Sequence, residues 1–135
     1  MDINANKMVV QAYVEAINRF DIQALRRIFS PEARIYGVLG YGGLDVVEPI
    51  WRELHESMNM CLEVLDMAAE GQNVVARYRE TGRYTGFFRG LSGHEPTGKS
   101  YEITAMEWFV IEDGMITSRW GARDSAAITR QVTAS

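Results

Sequence analysis

Two carboxylates stand at positions where burial would be costly. Read as a strand, residues 116–124 alternate, which puts Ile116, Ser118, Trp120, Ala122 and Asp124 on one face and Thr117, Arg119, Gly121 and Arg123 on the other. The first row is the more apolar, so it is predicted to face the interior, with Asp124 at its end. Loss of water there would suit Asp124 to general-base work. Asp124-Ser125 also fits a structural role, as the cap of a helix over 126–131. Glu107 is the second candidate. It falls in the row Ile103, Ala105, Glu107, Phe109, Ile111, an acid among apolar neighbours. Buried there, it must be protonated, paired or put to use. If instead the face carrying Trp108 and Val110 is the buried one, Glu107 is solvated.

The composition narrows the chemistry to groups of this kind. The chain has 135 residues, the size of one domain. It is 47% hydrophobic and 24% charged, the balance of a globular protein. Eighteen acidic residues outnumber 14 basic ones, for a net charge of -4. That disfavours nucleic acid as a partner, because such modules carry a basic excess. Apolar runs are too short to span a bilayer, and the N-terminal stretch lacks a basic-then-apolar signal pattern. No membrane partner is expected, and the expected location is cytoplasmic. Cys61 is the only cysteine, and His55 and His94, the only histidines, are far apart. No structural metal site is therefore expected.

Two kinds of element must position the acids. The first half reads helical. Val9, Tyr13, Ala16 and Phe20 recur at helical spacing. Asp21 can cap a short second helix through Ala24, Leu25, Ile28 and Phe29, which Ser30-Pro31 stops. Residues 33–38 read as a short strand before glycines 40, 42 and 43. A third helix is predicted from near Asp45, with Asp45 and Glu48 as a capping box and Pro49 tolerated in the first turn. Its apolar stripe is Val47, Ile50, Trp51, Leu54 and Met58, with His55 beside it. The second half changes period. Strands are predicted over 61–68, 74–84, 101–111 and 115–124, with a turn at 70–73 and a loop over 90–98. Asp113-Gly114 is a hairpin signal. Helices followed by antiparallel strands give an α+β class, with helices covering one face of a curved sheet.

Several segments, taken in order, resemble a known family. They are Tyr13 to Phe29, Phe29-Ser30-Pro31-Glu32-Ala33, Val74-Val75-Ala76-Arg77-Tyr78 and Thr81-Gly82-Arg83-Tyr84-Thr85-Gly86. Pro96-Thr97-Gly98-Lys99 follows, then Glu112 to Ile116 running into Trp120-Gly121-Ala122-Arg123-Asp124, with Gln131 near the end. Over nearly the whole chain they resemble the polyketide-cyclase-like (SnoaL-like) branch of the NTF2-like superfamily. The resemblance implies a cone: a strongly bent antiparallel sheet around N-terminal helices, an apolar cavity inside, and a homodimer. In the cyclases it resembles, the aspartate after this tryptophan is the catalytic acid/base, which implies that role for Asp124. The segment Ala105-Met106-Glu107-Trp108-Phe109 also resembles the ketosteroid-isomerase strand that carries a protonated acid in its oxyanion hole. Tyr13 falls where that enzyme places its oxyanion-hole tyrosine. The catalytic set implied is Asp124, Glu107 and Tyr13.

The departures from these relatives are specific. The isomerase base would fall at Gly37 or its neighbour, where no carboxylate stands. The epoxide-hydrolase branch needs Arg-x-Asp, but Thr81 follows Arg79. Asn59-Met60-Cys61 replaces a common Pro-Asp pair, and Arg79, Glu80, Arg83 and Phe87 stand where relatives often carry small residues. Tyr36, Trp51, His55, Met58 and Trp120 are the expected pocket wall, fit for a flat hydrophobic ligand, although core packing explains each alone. The expected activity is cofactor-independent proton removal next to a carbonyl, as in the closure of a polyketide ring, on a small hydrophobic substrate. The alternative is a non-catalytic module binding a hydrophobic ligand, or a dimerisation module.

Overall fold

A computed structural model, which describes residues 2–37 and 39–133, contains four helices and six strands in that range. Met1, Val38 and the last two residues lie outside the described residues, so the predicted last position of the short strand, Val38, is not covered. Helix α1 (Ile3–Arg19) starts at Asp2, whose side chain accepts from the Ala5 amide at 3.1 Å. Asp21 caps α2 (Ile22–Ile28) in the same way, as expected. Strands β1 (Phe29–Gly37) and β2 (Gly40–Gly42) follow, then α3 (Leu44–Glu56). The sequence pattern did not reveal β2, because its Gly-Tyr-Gly carries no strand signature. The expected capping box is also absent. Gly43 is the N-cap of α3, and Asp45 and Glu48 instead hold Arg26 of α2, Glu48 at 2.7 Å.

The remaining strands are β3 (Cys61–Glu70), β4 (Asn73–Arg83), β5 (Ser100–Glu112) and β6 (Met115–Arg123), followed by α4 (Ser125–Thr133). The turn between β5 and β6 places both Asp113 and Gly114 at positive φ, 52° and 78°, as a two-residue hairpin demands. The sheet order is β2-β1-β6-β5-β4-β3. All neighbours run antiparallel except β1 and β6. Helices α1 and α3 lie in the concave side. Val10, Tyr13, Val14 and Ile17 from α1, and Val47, Ile50, Trp51 and Leu54 from α3, join one core there, α1 against β3, β4 and β5 and α3 against β1 and β2. The fold is the α+β, helix-lined bent sheet expected from the sequence. No helix among the described residues is long and apolar enough to cross a membrane.

One irregularity decides which side chains point inward. Val110 pairs with Ser118, but the next residue, Ile111, pairs with Ile116. Thr117 is therefore an extra residue, a β-bulge, and its hydroxyl turns to the Val110 carbonyl. Beyond the bulge the faces of β6 exchange. Ile116 stays buried, but the inward row continues as Arg119, Gly121 and Arg123, while Trp120 is 44% exposed. The expected inward row Ser118, Trp120, Ala122, Asp124 is thus corrected: strict alternation holds only up to the bulge. Strand β5 has no such break on its inner face, and Glu107 points inward as expected.

Glycine also shapes the interior. A Cβ on Gly82 would lie 2.3 Å from a ring carbon of Tyr101 and 2.4 Å from the Met58 carbonyl oxygen. Gly82 thereby lets the Tyr101 ring lie flat on β4, where its hydroxyl donates to Glu80 at 2.6 Å. Gly82→Ala is expected to destabilise the fold by about 2 kcal/mol, through overpacking and a strained hydrogen bond. The urea midpoint should fall with its slope unchanged. A wild-type midpoint would contradict this account of Gly82.

Candidate functional site

The space between the sheet and helices α1 and α3 is a cavity of about 60 Å³. Most of its wall is apolar, with Ile17, Val47, Ile50, Trp51, Leu54 and Leu62 among its residues. A smaller polar part carries Tyr13, Tyr78, Glu80, Glu107, Arg119 and Arg123, all but Tyr13 supplied by β4, β5 and β6. This division suits a ligand with an apolar body and a polar head.

Glu107 is the centre of the polar part. Its Oε2 accepts from the Tyr13 hydroxyl at 3.0 Å and lies 2.9 Å from Arg119 Nη1. Its Oε1 accepts from the Tyr78 hydroxyl at 2.8 Å. All three neighbours are donors, so the group serves as a carboxylate acceptor. Of the alternatives protonated, paired or put to use, the Arg119 guanidinium makes it paired, unlike the protonated acid that the isomerase resemblance implies. Burial first, and the Glu107 charge second, push the hydroxyls of Tyr13 and Tyr78 well above the ordinary tyrosine value. Both remain neutral donors. Burial is the largest single influence and works against the Arg119 charge, but Glu107, Tyr13 and Tyr78 together outweigh it and hold the guanidinium above its usual value. Arg119 is 5% exposed and packs over the Trp51 ring, 5.7 Å from its centroid. Its Nε is buried with no hydrogen-bond partner. A buried donor without a partner is a group whose hydrogen bond remains to be made. Gly121 makes room for this pair, since a Cβ there would meet Arg119 Nη1 at 2.3 Å.

A second pair lies further along the same face. Arg123 donates through Nε to Glu80 Oε1 at 2.9 Å and through Nη2 to Glu80 Oε2. Tyr101 completes it, and burial, with Glu80 next, raises its hydroxyl as well. Glu80 is 1% exposed. Sequence reasoning missed Arg119, Arg123, Tyr78, Tyr101 and the inward role of Glu80. A signal did exist for two of them, because Val74, Ala76, Tyr78 and Glu80 alternate along β4.

The other expected site residues are placed as follows. Tyr13 and Glu107 meet, and Trp51 lines the cavity. Asp124 does not join them. It is exposed and accepts from the Ala127 amide at 2.9 Å, capping α4. Tyr36 and Trp120 stack on each other on the outer face of the sheet, 5.3 Å apart and 9° from parallel, with Tyr41 stacked on the far side of Tyr36. His55 stacks on Phe20 at the seam of α1 and α3. Met58 is fully buried in the core outside the cavity. Gly37, where an isomerase-like base would stand, does line the cavity but brings no side chain. Arg77 and Arg79 are on the outer surface, paired with Asp66 and Glu63.

A bent, unclosed sheet wrapped around helices, with polar groups on its concave face, defines an NTF2-like protein. A family model described as a SnoaL-like domain matches residues 10–119, and the chain belongs to that family. Solved structures agree on the fold. A protein from Jannaschia sp. CCS1, provisionally named a SnoaL-like polyketide cyclase, is 21% identical with a TM-score of 0.88, covering 100% of this chain and 96% of its own. A provisional polyketide cyclase from Xanthomonas campestris pv. campestris is 23% identical with a TM-score of 0.85, over 96% of this chain and 97% of its own. IdmH from Streptomyces antibioticus, also provisionally a polyketide cyclase, is 23% identical with a TM-score of 0.83, over 93% and 96%. No curated protein sequence matches the chain.

The three buried tyrosines of the two carboxylate clusters give a pH signature. In the unfolded chain they ionise near pH 10, whereas in the fold they keep their protons to higher pH. Above pH 10 the unfolded state therefore binds fewer protons than the folded state. Stability, full below that pH, should fall as pH rises, by up to about 1.4 kcal/mol per pH unit for each tyrosine. Urea midpoints measured between pH 9 and 12 should show this. Tyr13→Phe and Tyr78→Phe should each flatten the slope by about one proton, and a wild-type slope in both would contradict the burial of these hydroxyls.

Proposed function

We propose that this protein is a cofactor-independent enzyme of cyclase or isomerase type, which enolises a small, mostly apolar, polyketide-like carbonyl compound inside the cone. The observation that carries the reading is the pair of Glu107 and Arg119 in the lining of one cavity, with the Arg119 Nε buried and without a hydrogen-bond partner. Glu107 and Arg119 are neighbours, 2.9 Å apart, and in the unit O=C–C–H the oxygen and the acidic hydrogen sit on neighbouring carbons. With the carbonyl oxygen on Arg119, the adjacent C–H faces Glu107. The carboxylate takes the proton, the C–H electron pair forms the enolate C=C, and the charge on oxygen develops against the guanidinium. Tyr13 and Tyr78 hold the carboxylate in place. In the ring-closing version the enolate carbon attacks a second carbonyl of the same molecule, and protonated Glu107 returns its proton to the new alkoxide. The base is Glu107 in this proposal, because Asp124 is outside the cavity and engaged as a cap.

A second reading is favoured by one fact. Tyr13, Tyr78 and Arg119 already occupy the Glu107 carboxylate, which suits a module that binds a hydrophobic ligand without turning it over. Both readings take the protein as a cytoplasmic homodimer, and the exposed Tyr41–Tyr36–Trp120 stack on the outer sheet face is the support for a second copy there.

Exchange of the α-hydrogens of methyl heptyl ketone with deuterated water, followed by proton NMR, separates the readings. The enzyme should accelerate exchange above the buffer rate. Glu107→Gln, checked for folding by circular dichroism, should lose about 100-fold or more of that acceleration. Ketone binding without any acceleration in the wild type would establish the binding module, and undiminished exchange in Glu107→Gln would exclude Glu107 as the base.

A further inference from the structure

The inner cavity is small for its family's supposed cargo. A site that encloses a drug-sized ligand spans roughly 300–1,000 Å³, whereas this one has about 60 Å³. A second void of about 50 Å³ lies between α4 and the 3₁₀ turn at Arg89–Leu91. Its walls include Phe88, Leu91, Ser125, Ile128 and Thr129. Two residues, Leu39 and Arg123, line both voids. They are the partition between them.

The partition has one movable part. Arg123 is fixed by its two-point pairing with Glu80. Leu39 is an aliphatic side chain, 36% exposed, with no such anchor. It rests against Gly90, where an added Cβ would sit 3.3 Å from Leu39 Cδ1 and 2.6 Å from the Phe88 ring. Gly90 thus gives Leu39 a seat that any larger residue would fill. Leu39 is thus the part of the partition that a rotamer change can move.

We infer that the two voids are the two halves of a single elongated binding channel, stoppered by Leu39. The carbonyl head of the ligand lies at Arg119, and an apolar tail passes Arg123 into the cleft beneath α4. The polar wall carries two arginines and two glutamates in pairs, so it is balanced in charge. A further buried charge would have no partner. The ligand class is therefore neutral and elongated: a ketone or ester with an alkyl or aryl extension, not a free acid. This inference rests on the reading of the inner cavity as a ligand site.

The test compares methyl ethyl ketone with methyl heptyl ketone by calorimetry. Each buried methylene multiplies affinity about fourfold, so the longer ketone should bind wild type at least about tenfold more tightly. Thr129→Trp, which fills the cleft, should bring that ratio close to one. Ser125→Trp, at an exposed position on the same wall, repeats the test should Thr129→Trp not fold. Leu39→Ala should raise the ratio. A ratio unchanged in both tryptophan variants overturns the channel while leaving the inner site intact. Failure of both ketones to bind any variant overturns the inner-site reading itself, and the channel with it.

Discussion

A carboxylate inside an apolar cone must be met by an opposite charge, and the rest of this site follows from how that is arranged. The inner face of the sheet carries two acids, Glu107 on β5 and Glu80 on β4. Each is answered by an arginine from β6 and by at least one tyrosine hydroxyl. Leaving either acid unpaired would cost several kcal/mol, a large part of the total stability of a domain this size. The two arginines reach the inner face only because the bulge at Thr117 shifts the phase of β6. Without that extra residue, Arg119 and Arg123 would face outward and Trp120 would enter the cavity. The bulge is thus what makes a polar site possible in this sheet.

The neighbouring features are consequences of the same placement. Gly121 stands where a side chain would strike the Arg119 guanidinium, and Gly82 where one would displace Tyr101 from Glu80. Trp51 on α3 offers a ring face to Arg119, an interaction that a desolvated cation gains from. On the outer face the shifted phase leaves Trp120 stacked on Tyr36, with Trp108 beside it across the strand pair. One inserted residue therefore sets both surfaces: the charged lining of the cone and the aromatic patch on its back.

Much of the fold was legible because it depends on local signals. Asp21 before an apolar run, Asp113-Gly114 between two strands, and the inward row of β5 all read directly, and the structure has them. Tyr13 and Glu107 could be paired from the family resemblance. The bulge could not be read, because its cause is a registry between β5 and β6 that leaves no mark in the residue types near Thr117. From that single gap came the misplacement of Asp124 and Trp120, and the omission of Arg119 and Arg123. Glu80 was different. Its alternation with Val74, Ala76 and Tyr78 was visible, but a charged residue at the end of an apolar row looks like a strand terminus until a partner is known. His55 and Met58 were misjudged for another reason: a helix stripe tells which residues are buried but not which of them border empty space.

The central claim is that Glu107 and Arg119 are held in the cone as one charge-balanced unit. A double-mutant cycle on stability tests it most directly, using Glu107→Leu, Arg119→Met and the two combined. Each single change should cost about 3 kcal/mol or more, because it strands the other charge in the interior. The double variant should be less destabilised than the sum of the two by about 2 kcal/mol or more. Additive effects of the two substitutions would contradict the account.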